Sequence, residues 1–351
     1  MNRFAELLDR LAYEPGRNNK LRLMSDYFRH TPDPERGYAL AALTGNLVFQ
    51  HAKPGMIRAL IMERTDPLLF GLSRDFVGDT SETIALMWPV PEVRPNFIPS
   101  ISDVVTSLNT LGKSELPAQI AHWLDALDET GRWALLKLIT GGLRIGVSAR
   151  LAKTALAALG SLAPDDIEEV WHGQEAPYVA LFAWAEGRAE RPASTDPAPF
   201  RPPMLAHAVE DRDFDMLDPA EFAAEWKWDG TRIAVASGLA PDGSRVTRLY
   251  SRTGEEIGAA FPDLLDAITL DGTLDGELLI LIDGRVQSFN VLQQRLNRKV
   301  VTQKMLQEFP AHIRAYDLLF DGTDDIRALP YAERRLRLSA FVARLANPRI
   351  D

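Results

Sequence analysis

The sequence lacks several patterns that would mark a catalytic or metal site directly. It contains no cysteine, which excludes a disulfide framework, an iron–sulfur cluster, a cysteine zinc site and a cysteine nucleophile. The six histidines form neither an H-E-x-x-H motif nor a pair at i, i+4, so they predict no zinc site. A G-x-S-x-G nucleophile elbow is also missing. Chemistry based on cysteine, on zinc or on that serine motif is therefore not expected.

Long hydrophobic runs and an excess of positive charge are missing as well. No apolar stretch approaches the roughly 18 residues that a membrane helix needs, and residues 1–20 contain no apolar signal region. We therefore expect a cytoplasmic protein. Lys and Arg number 39 against 49 Asp and Glu, a net charge of −10. Taken alone, this charge argues against a nucleic-acid partner.

The composition is that of a globular protein, and the 351 residues suit at least two domains. Apolar residues recur at helical spacing at Phe4, Leu7, Leu8 and Leu11, at Ile57, Leu60 and Ile61, and at Ile120, Trp123, Leu124 and Leu127. Five prolines between residues 191 and 204 interrupt regular structure. We predict an all-α domain over residues 1–190, a proline-rich linker over 191–204, and a second domain over 205–351.

The second domain shows the alternation typical of strands. Residues 231–236 and 245–250 read as strands joined by a Pro–Asp–Gly turn at 241–243. Residues 278–289 read as a second hairpin around Asp283-Gly284, and residues 261–268 read as a short helix. These patterns predict an α+β fold behind the helical domain.

The most specific motif is K-x-D-G at Lys227-Trp228-Asp229-Gly230. Alone it arises by chance in roughly one chain of this size in ten, and its bland alternative is a strand with an exposed lysine before a turn. Three segments follow it in order: Ser251-Arg252-Thr253-Gly254, Asp275-Gly276-Glu277-Leu278 and Ala315-Tyr316-Asp317-Leu318-Leu319. A lysine amine is a nucleophile only when neutral, which neighbouring cations favour. Arg232 and Arg252 would supply such cations, and they would also neutralise phosphate charge.

This ordered set resembles the covalent nucleotidyltransferases, and specifically the ATP-dependent DNA ligases. In that family the motif lysine attacks the α-phosphate of ATP, so the resemblance makes Lys227 the adenylated nucleophile. It implies the following roles for the other residues: Glu225 accepts a hydrogen bond from the adenine amino group, Arg232 and Arg252 bind the ribose and phosphates, Glu277 holds the ribose hydroxyl and helps to place Mg²⁺, and Tyr316 stacks on adenine. Trp226 and Trp228 are expected to pack in the sheet, although Trp226 could also border the base.

A second resemblance lies in the helical domain. Residues 138–150 resemble the L-R-I-G segment of the larger ligases' DNA-binding domain, where glycines allow the backbone to approach phosphates. No acidic residue occurs over residues 131–164, which contain Arg132, Lys137, Arg144, Arg150 and Lys153. The resemblance implies DNA contacts from Arg144, Gly146, Arg150 and Lys153. The alternative is a helix hairpin with a glycine corner.

A further basic stretch runs over residues 285–304. Its arginines and lysines include Arg298 and Lys299, for which we expect phosphate contacts near the nick. The alternative is a solvated helix face.

The resemblance implies an ATP-grasp-like antiparallel sheet and a monomeric, nucleoid-associated bacterial enzyme that seals nicked duplex DNA. Family members continue with an E-G-x-x-x-K segment, a K-x-K strand and an OB-fold domain. Because the sequence stops at Asp351, we expect an incomplete adenylation domain, no OB-fold domain, and little activity from these residues alone.

Two other functions stay open. An RNA ligase or a capping-type nucleotidyltransferase shares K-x-D-G, although the L-R-I-G segment speaks against both. A non-catalytic DNA-binding fragment with a vestigial nucleotidyl fold is the alternative from a different class. Lys227, Arg232 and Glu277 argue against it.

Overall fold

The computed structural model describes residues 1–93, 95–296, 298 and 300–351. They form two compact units, here called the helical unit (Met1–Ile167 and Gln174–Pro192) and the sheet unit (Glu168–Gly173 and Ala193–Asp351). Within the described residues, no helix is both long and apolar enough to span a membrane.

The first half of the chain is helical. Its helices are α1 Asn2–Tyr13, α2 Arg17–His30, α3 Glu35–Leu43, α4 Pro54–Met62, α5 Pro67–Val77, α6 Thr80–Met87, α7 Ile101–Thr110, α8 Leu116–Ala126, α9 Glu129–Thr140, α10 Ala149–Ala157, α11 Pro164–Trp171 and α12 Val179–Ala185. The predicted stripe on α1 is buried, as is that on α8, because a helix places every third or fourth residue on one face. Asp66, Asp79 and Ser148 accept backbone N–H groups as N-caps of α5, α6 and α10, which fixes where those helices begin.

The sheet unit contains an antiparallel sheet with short helices. Its elements are α13 Asp213–Met216, β1 Thr231–Leu239, β2 Arg245–Ser251, a 3₁₀ turn Gly258–Ala260, α14 Pro262–Ala267, β3 Gly272–Ile282, β4 Arg285–Val286, α15 Phe289–Leu292, α16 Gln303–Glu308, β5 Ala311–Asp321, β6 Asp324–Asp325 and α17 Tyr331–Leu345. The strand order is β2-β1-β3-β5-β6, with β4 beside β3. A helical region followed by an antiparallel sheet is the predicted arrangement, and in this coarse form the prediction is confirmed.

One detail of the second predicted hairpin is wrong. Asp283 and Gly284 form its turn with positive φ, but the returning strand is only Arg285–Val286. Phe289 already begins α15, and its side chain packs against the core of the sheet unit. Tertiary packing thus overrides the alternating pattern that suggested a longer strand.

The two faces of the sheet differ in chemistry. One face carries Ile233, Leu278 and Ile313, which belong to the apolar core shared with α14 and α17. Residues paired across an antiparallel ladder share a face, so Arg232 lies on the opposite face beside its partner Glu277. We call this second face the polar face.

A β-bulge interrupts the polar face between β3 and β5. Asp275 pairs with Asp317 and Gly276 pairs with Ala315, so Tyr316 is the extra residue on β5. Bulges re-aim a side chain and are common beside functional sites. Gly276 permits the close approach of these strands, because a Cβ there would lie 2.6 Å from the Arg314 carbonyl oxygen.

Candidate functional site

The K-x-D-G motif forms the entry to β1. Lys227 is exposed, and residues 222–228 carry no regular structure. At Gly230 an added Cβ would lie 2.5 Å from the Leu278 carbonyl oxygen, so glycine is required for this approach to β3. Asp229 Oδ2 accepts a hydrogen bond of 3.3 Å from the Phe289 amide. The Asp–Gly pair therefore fixes the segment after Lys227 against the sheet.

Arg232 is held on the polar face by a buried carboxylate. Its Nε lies 3.1 Å from Asp275 Oδ1, and its Nη2 bonds Asp275 Oδ2 and the Met204 carbonyl oxygen. Burial raises the pKa of Asp275 to about 6, although the hydrogen bond and the charge of Arg232 lower it. Sequence reasoning assigned Arg232 to the lysine and the nucleotide and missed Asp275 as its partner.

Glu277 and Tyr316 meet beside Arg232. The Tyr316 hydroxyl donates to Glu277 Oε2 at 3.3 Å, and the Arg232 guanidinium lies 5.2 Å from the centre of the Tyr316 ring. Burial raises the pKa of Glu277, while the Tyr316 hydrogen bond and the charges of Arg232 and Lys227 partly oppose that rise. Burial also raises the pKa of Tyr316, so this phenol keeps its proton at neutral pH.

The other predicted nucleotide residues are placed differently. Glu225 accepts a hydrogen bond from Tyr331 on α17, a residue that sequence reasoning did not single out. Arg252 is exposed in the turn that follows β2. Among the described residues, the hydrogen bonds and ion pairs do not join Arg252 to Lys227 or Glu277.

Both tryptophans were expected to pack in the sheet, and Trp226 does not. Trp226 is 86% exposed, because residues 222–228 form no strand that would bury it. Trp228 lies against the Arg314 guanidinium, 4.2 Å from ring centre to guanidinium carbon. A cation over an indole face is a favourable contact, and it places Trp228 against Arg314 of β5, which pairs with Glu277.

A preformed metal cage is not a feature of the described residues, where no group of three His, Asp or Glu side chains could hold an ion. Glu277 offers carboxylate oxygens of the kind that Mg²⁺ prefers. The neighbouring cations Arg232 and Lys227 suit the phosphates of a nucleotide.

The L-R-I-G segment in the helical unit lies in the loop of residues 141–148 between α9 and α10. Gly141, Arg144 and Gly146 all have positive φ, and Arg144 is exposed. The buried Lys20 donates to the carbonyl oxygens of Ile145 at 2.7 Å and Gly146 at 3.1 Å. These bonds hold the loop from within and leave the Arg144 side chain on the surface.

Burial overturns part of the predicted DNA surface. Lys153 is 4% exposed, because its side of α10 packs into the helical unit, so its prediction as a phosphate contact is wrong. Arg132 and Lys137 in the same acid-free segment are also buried. Arg150 is partly exposed and pairs with Asp165. Arg144 is thus the exposed cation of the set.

The basic stretch 285–304 is also divided by burial. Arg295, another cation of this stretch, is buried, where it bonds the Ala260 carbonyl oxygen and Asp263, so it offers no surface charge to DNA. Arg298 is exposed, and its Nε donates to the Gln294 carbonyl oxygen at 3.1 Å. Lys299 lies outside the described residues.

The segment that contains Lys227, Glu277 and Tyr316 is also the part of the chain that matches a known protein family. Residues 203–349 match the family described as "ATP dependent DNA ligase domain". DNA ligase 1 of Korarchaeum cryptofilum is 27% identical over 97% of this chain and 64% of its own length. A probable DNA ligase of Anaeromyxobacter is 30% identical over 76% of this chain and 53% of its own length.

Among solved structures, the ligase domain of M. tuberculosis LigD is 29% identical over 33% of this chain and 35% of that one, with a TM-score of 0.26. This score is too low to support a common fold. The chain spans 64% of the length of the Korarchaeum ligase and 53% of that of the Anaeromyxobacter ligase. Residues 203–349 are thus similar to the ATP-dependent DNA ligase domain family, and the chain as a whole is similar to part of these DNA ligases.

Proposed function

We propose that this chain provides the helical DNA-binding part and the adenylation part of an ATP-dependent DNA ligase. One observation carries the proposal: Lys227 lies just before the bend at Gly230, and its charge lowers the pKa of Glu277, which shares the polar face with Arg232 and Tyr316 within the family segment. A nucleophilic amine, a carboxylate, a guanidinium and an aromatic ring match the needs of nucleotidyl transfer.

Lys227 carries the covalent chemistry. Its neutral amine attacks the α-phosphorus of ATP, a P–N bond forms, and the bond to the β-phosphate breaks to release pyrophosphate. A 5′-phosphate oxygen of the nicked strand then attacks the same phosphorus and returns the lysine. Finally, the 3′-hydroxyl attacks the activated 5′-phosphate, loses its proton and expels AMP.

The polar face prepares this substrate. Tyr316 offers its ring to adenine, and the Nη1 group of Arg232 reaches the ribose or phosphates while Asp275 holds the other side of the guanidinium. Glu277 binds a ribose hydroxyl and would be the residue that offers an oxygen to Mg²⁺, which would supply neutralisation of phosphate charge. Arg252 binds phosphate from the turn after β2.

Nicked duplex DNA is the proposed partner of the L-R-I-G segment in the helical unit. Arg144, Gly146 and Arg150 supply a surface cation, an accessible backbone and a second cation to phosphates. Arg298 and Lys299 add contacts near the nick. The proposal omits Lys153, because its amine is buried.

Covalent labelling tests the catalytic role. The full-length protein is incubated with α-³²P-labelled ATP and Mg²⁺ and resolved under denaturing conditions. We expect an acid-labile label that Lys227→Ala and Lys227→Arg abolish, because neither variant supplies a neutral primary amine. Lys113→Ala, at an exposed lysine of the helical unit, is the matched control and should label normally.

Three results would contradict this proposal. Label that survives Lys227→Ala places the nucleophile elsewhere. Label from GTP in preference to ATP indicates a capping-type enzyme. A wild-type protein that takes no label but binds nicked DNA indicates a non-catalytic DNA-binding protein.

DNA binding is tested by the salt dependence of affinity. Arg144→Ala should weaken nicked-duplex binding and reduce the slope of log K against log salt by about 1, because one phosphate contact is lost. Arg22→Ala, an exposed arginine on α2, is the charge-matched control. An unchanged slope for Arg144→Ala would remove this residue from the DNA surface.

A further inference from the structure

The first turns of α17 contact two residues of the proposed nucleotide site, Glu225 and Tyr316. Tyr331 and Arg335 are four residues apart and therefore share one side of the helix. The Tyr331 hydroxyl donates a hydrogen bond to Glu225 Oε1. Arg335 Nη1 lies 4.0 Å from the same oxygen. Among the described residues, these contacts engage Oε1 and leave Oε2 of Glu225 for another donor.

The same helix turns also hold the residue proposed to stack on the base. Arg335 Nη1 donates to the carbonyl oxygens of Tyr316 at 3.0 Å and Ala315 at 3.3 Å. Arg334, which lies between Tyr331 and Arg335 in the sequence, bonds both carboxylate oxygens of the buried Asp317 at 2.9 Å. A bidentate pair of this kind fixes orientation as well as distance. It fastens α17 to β5 at the bulge that carries Tyr316.

The chemistry of Tyr331 makes it a permanent donor. Burial, and then the hydrogen bond to Glu225, raise the pKa of Tyr331 to about 12. Its proton therefore stays on the phenol at neutral pH and is donated to Glu225 Oε1. Adenine presents an amino donor at its 6 position, which suits such an acceptor. Guanine presents a carbonyl oxygen there, which a carboxylate repels.

We propose that Tyr331 is a positioning residue for base recognition: it holds the Glu225 carboxylate as an acceptor for the adenine amino group, in register with the Tyr316 ring that Arg335 supports. This inference rests on the proposed function. Tyr331 itself does not touch the reacting atoms. It acts through Glu225, and it would favour ATP over GTP as the nucleotide donor.

The test is Tyr331→Phe in the full-length protein, assayed by lysyl-nucleotide formation at varied ATP and GTP. Because a hydrogen bond to a charged group is lost, we expect KM for ATP to rise about tenfold and the preference for ATP over GTP to fall about tenfold. The rate at saturating ATP should change less than about twofold, because Lys227 and Glu277 are untouched. Tyr13→Phe, an exposed tyrosine on α1, is the matched control.

A double-mutant cycle shows whether Tyr331 acts through Glu225. If it does, Tyr331→Phe should change KM much less in a Glu225→Gln background than in the wild type. Equal effects in both backgrounds would overturn the inference, as would an unchanged KM and ATP preference. A lower rate at saturating ATP with unchanged KM would also overturn it, since that is the result of a structural defect.

Failure of the inference and failure of the proposed function give different results. A wild-type protein that forms no lysyl-adenylate overturns the proposed function, and this inference falls with it. A wild-type protein that labels normally, beside a Tyr331→Phe variant with wild-type KM and nucleotide preference, overturns the inference alone.

Discussion

Each unit contains an ion pair between a shielded cation and an aspartate. The pKa values of the two aspartates are shifted in opposite directions. In the helical unit Lys137 pairs with Asp79, whose side chain is 23% exposed. In the sheet unit Arg232 pairs with Asp275, whose side chain is 0% exposed. The pKa of Asp79 is lowered, whereas that of Asp275 is raised. The same type of contact therefore has different consequences in the two units.

Solvent and additional donors explain the low pKa of Asp79. Burial raises the pKa of this carboxyl, but hydrogen bonds from the Lys137 amine and the Glu82 amide lower the pKa, and the lowering effects together outweigh that of burial. Asp79 is also the N-cap of α6, where its oxygen accepts the Glu82 N–H at 3.0 Å. The ionised form is thus the better satisfied one, and this pair stabilises the fold.

Complete burial explains the high pKa of Asp275. Burial outweighs the hydrogen bond and the charge of Arg232, and the nearby carboxylates of Asp317 and Glu277 raise the pKa further. The ionised form is held at a cost in folding free energy. What it provides is orientation, since it holds Arg232 beside Glu277 and Tyr316. The comparison separates a pair that serves stability from one that positions Arg232 of the proposed nucleotide site.

The largest expected effect is a pH dependence carried by Asp275. Its pKa is about 6 in the folded chain and about 4 when unfolded. The folded state therefore holds an extra proton between these values, and the stability from this group is present below about pH 4 and lost as pH rises through 6. Relative to Asp275→Asn, the wild type should lose up to about 3 kcal/mol between pH 4 and pH 7.

Hydrogen exchange of β3 amides under increasing urea measures this difference, because it reports on the sheet unit separately. Asp275→Asn removes the titrating proton and keeps an oxygen for Arg232, so its own stability at pH 7 should equal or exceed that of the wild type. A large loss of β3 protection in Asp275→Asn at pH 7 would show that the ionised pair is a net stabiliser after all.

Elements with a local cause could be predicted from the sequence. The stripe that includes Phe4 and Leu11 predicts α1, because its spacing comes from the helix itself. The strand after Gly230 and the turn at Asp283-Gly284 follow in the same way from local preferences. The coarse fold needs no more than this.

Partners distant in the chain could not be predicted. Asp275 lies 43 residues after Arg232, and Tyr331 lies 106 residues after Glu225, so no spacing rule joins either pair. The burial of Lys153 could not be predicted from the sequence either. The acid-free segment made it look like a surface cation, and only the packing of α10 shows that it is enclosed. Charge in a sequence gives composition, whereas burial decides which charges a partner meets.

The smaller expected effect is the loss of the Lys137–Asp79 pair in the helical unit. Asp79→Asn keeps a good N-cap, since asparagine and aspartate cap almost equally well, but it removes the negative charge facing the buried Lys137 amine. We expect a loss of about 1–2 kcal/mol at pH 7, read as faster exchange of α9 amides. The loss should begin to shrink as pH falls below about 4, the pKa of an unfolded aspartate, and should disappear only below the lowered pKa of Asp79 in the folded chain, because the stability from Asp79 is present only while its carboxyl is ionised.

Asp66→Asn is the matched control for this prediction. Asp66 caps α5 through the Leu69 amide, as Asp79 caps α6, but its side chain is exposed to solvent and faces no buried lysine in the described contacts. Its substitution should change stability by no more than a few tenths of a kcal/mol. Equal losses in the two variants would mean that both aspartates act only as caps, and the contrast between the two ion pairs would then rest on Asp275 alone.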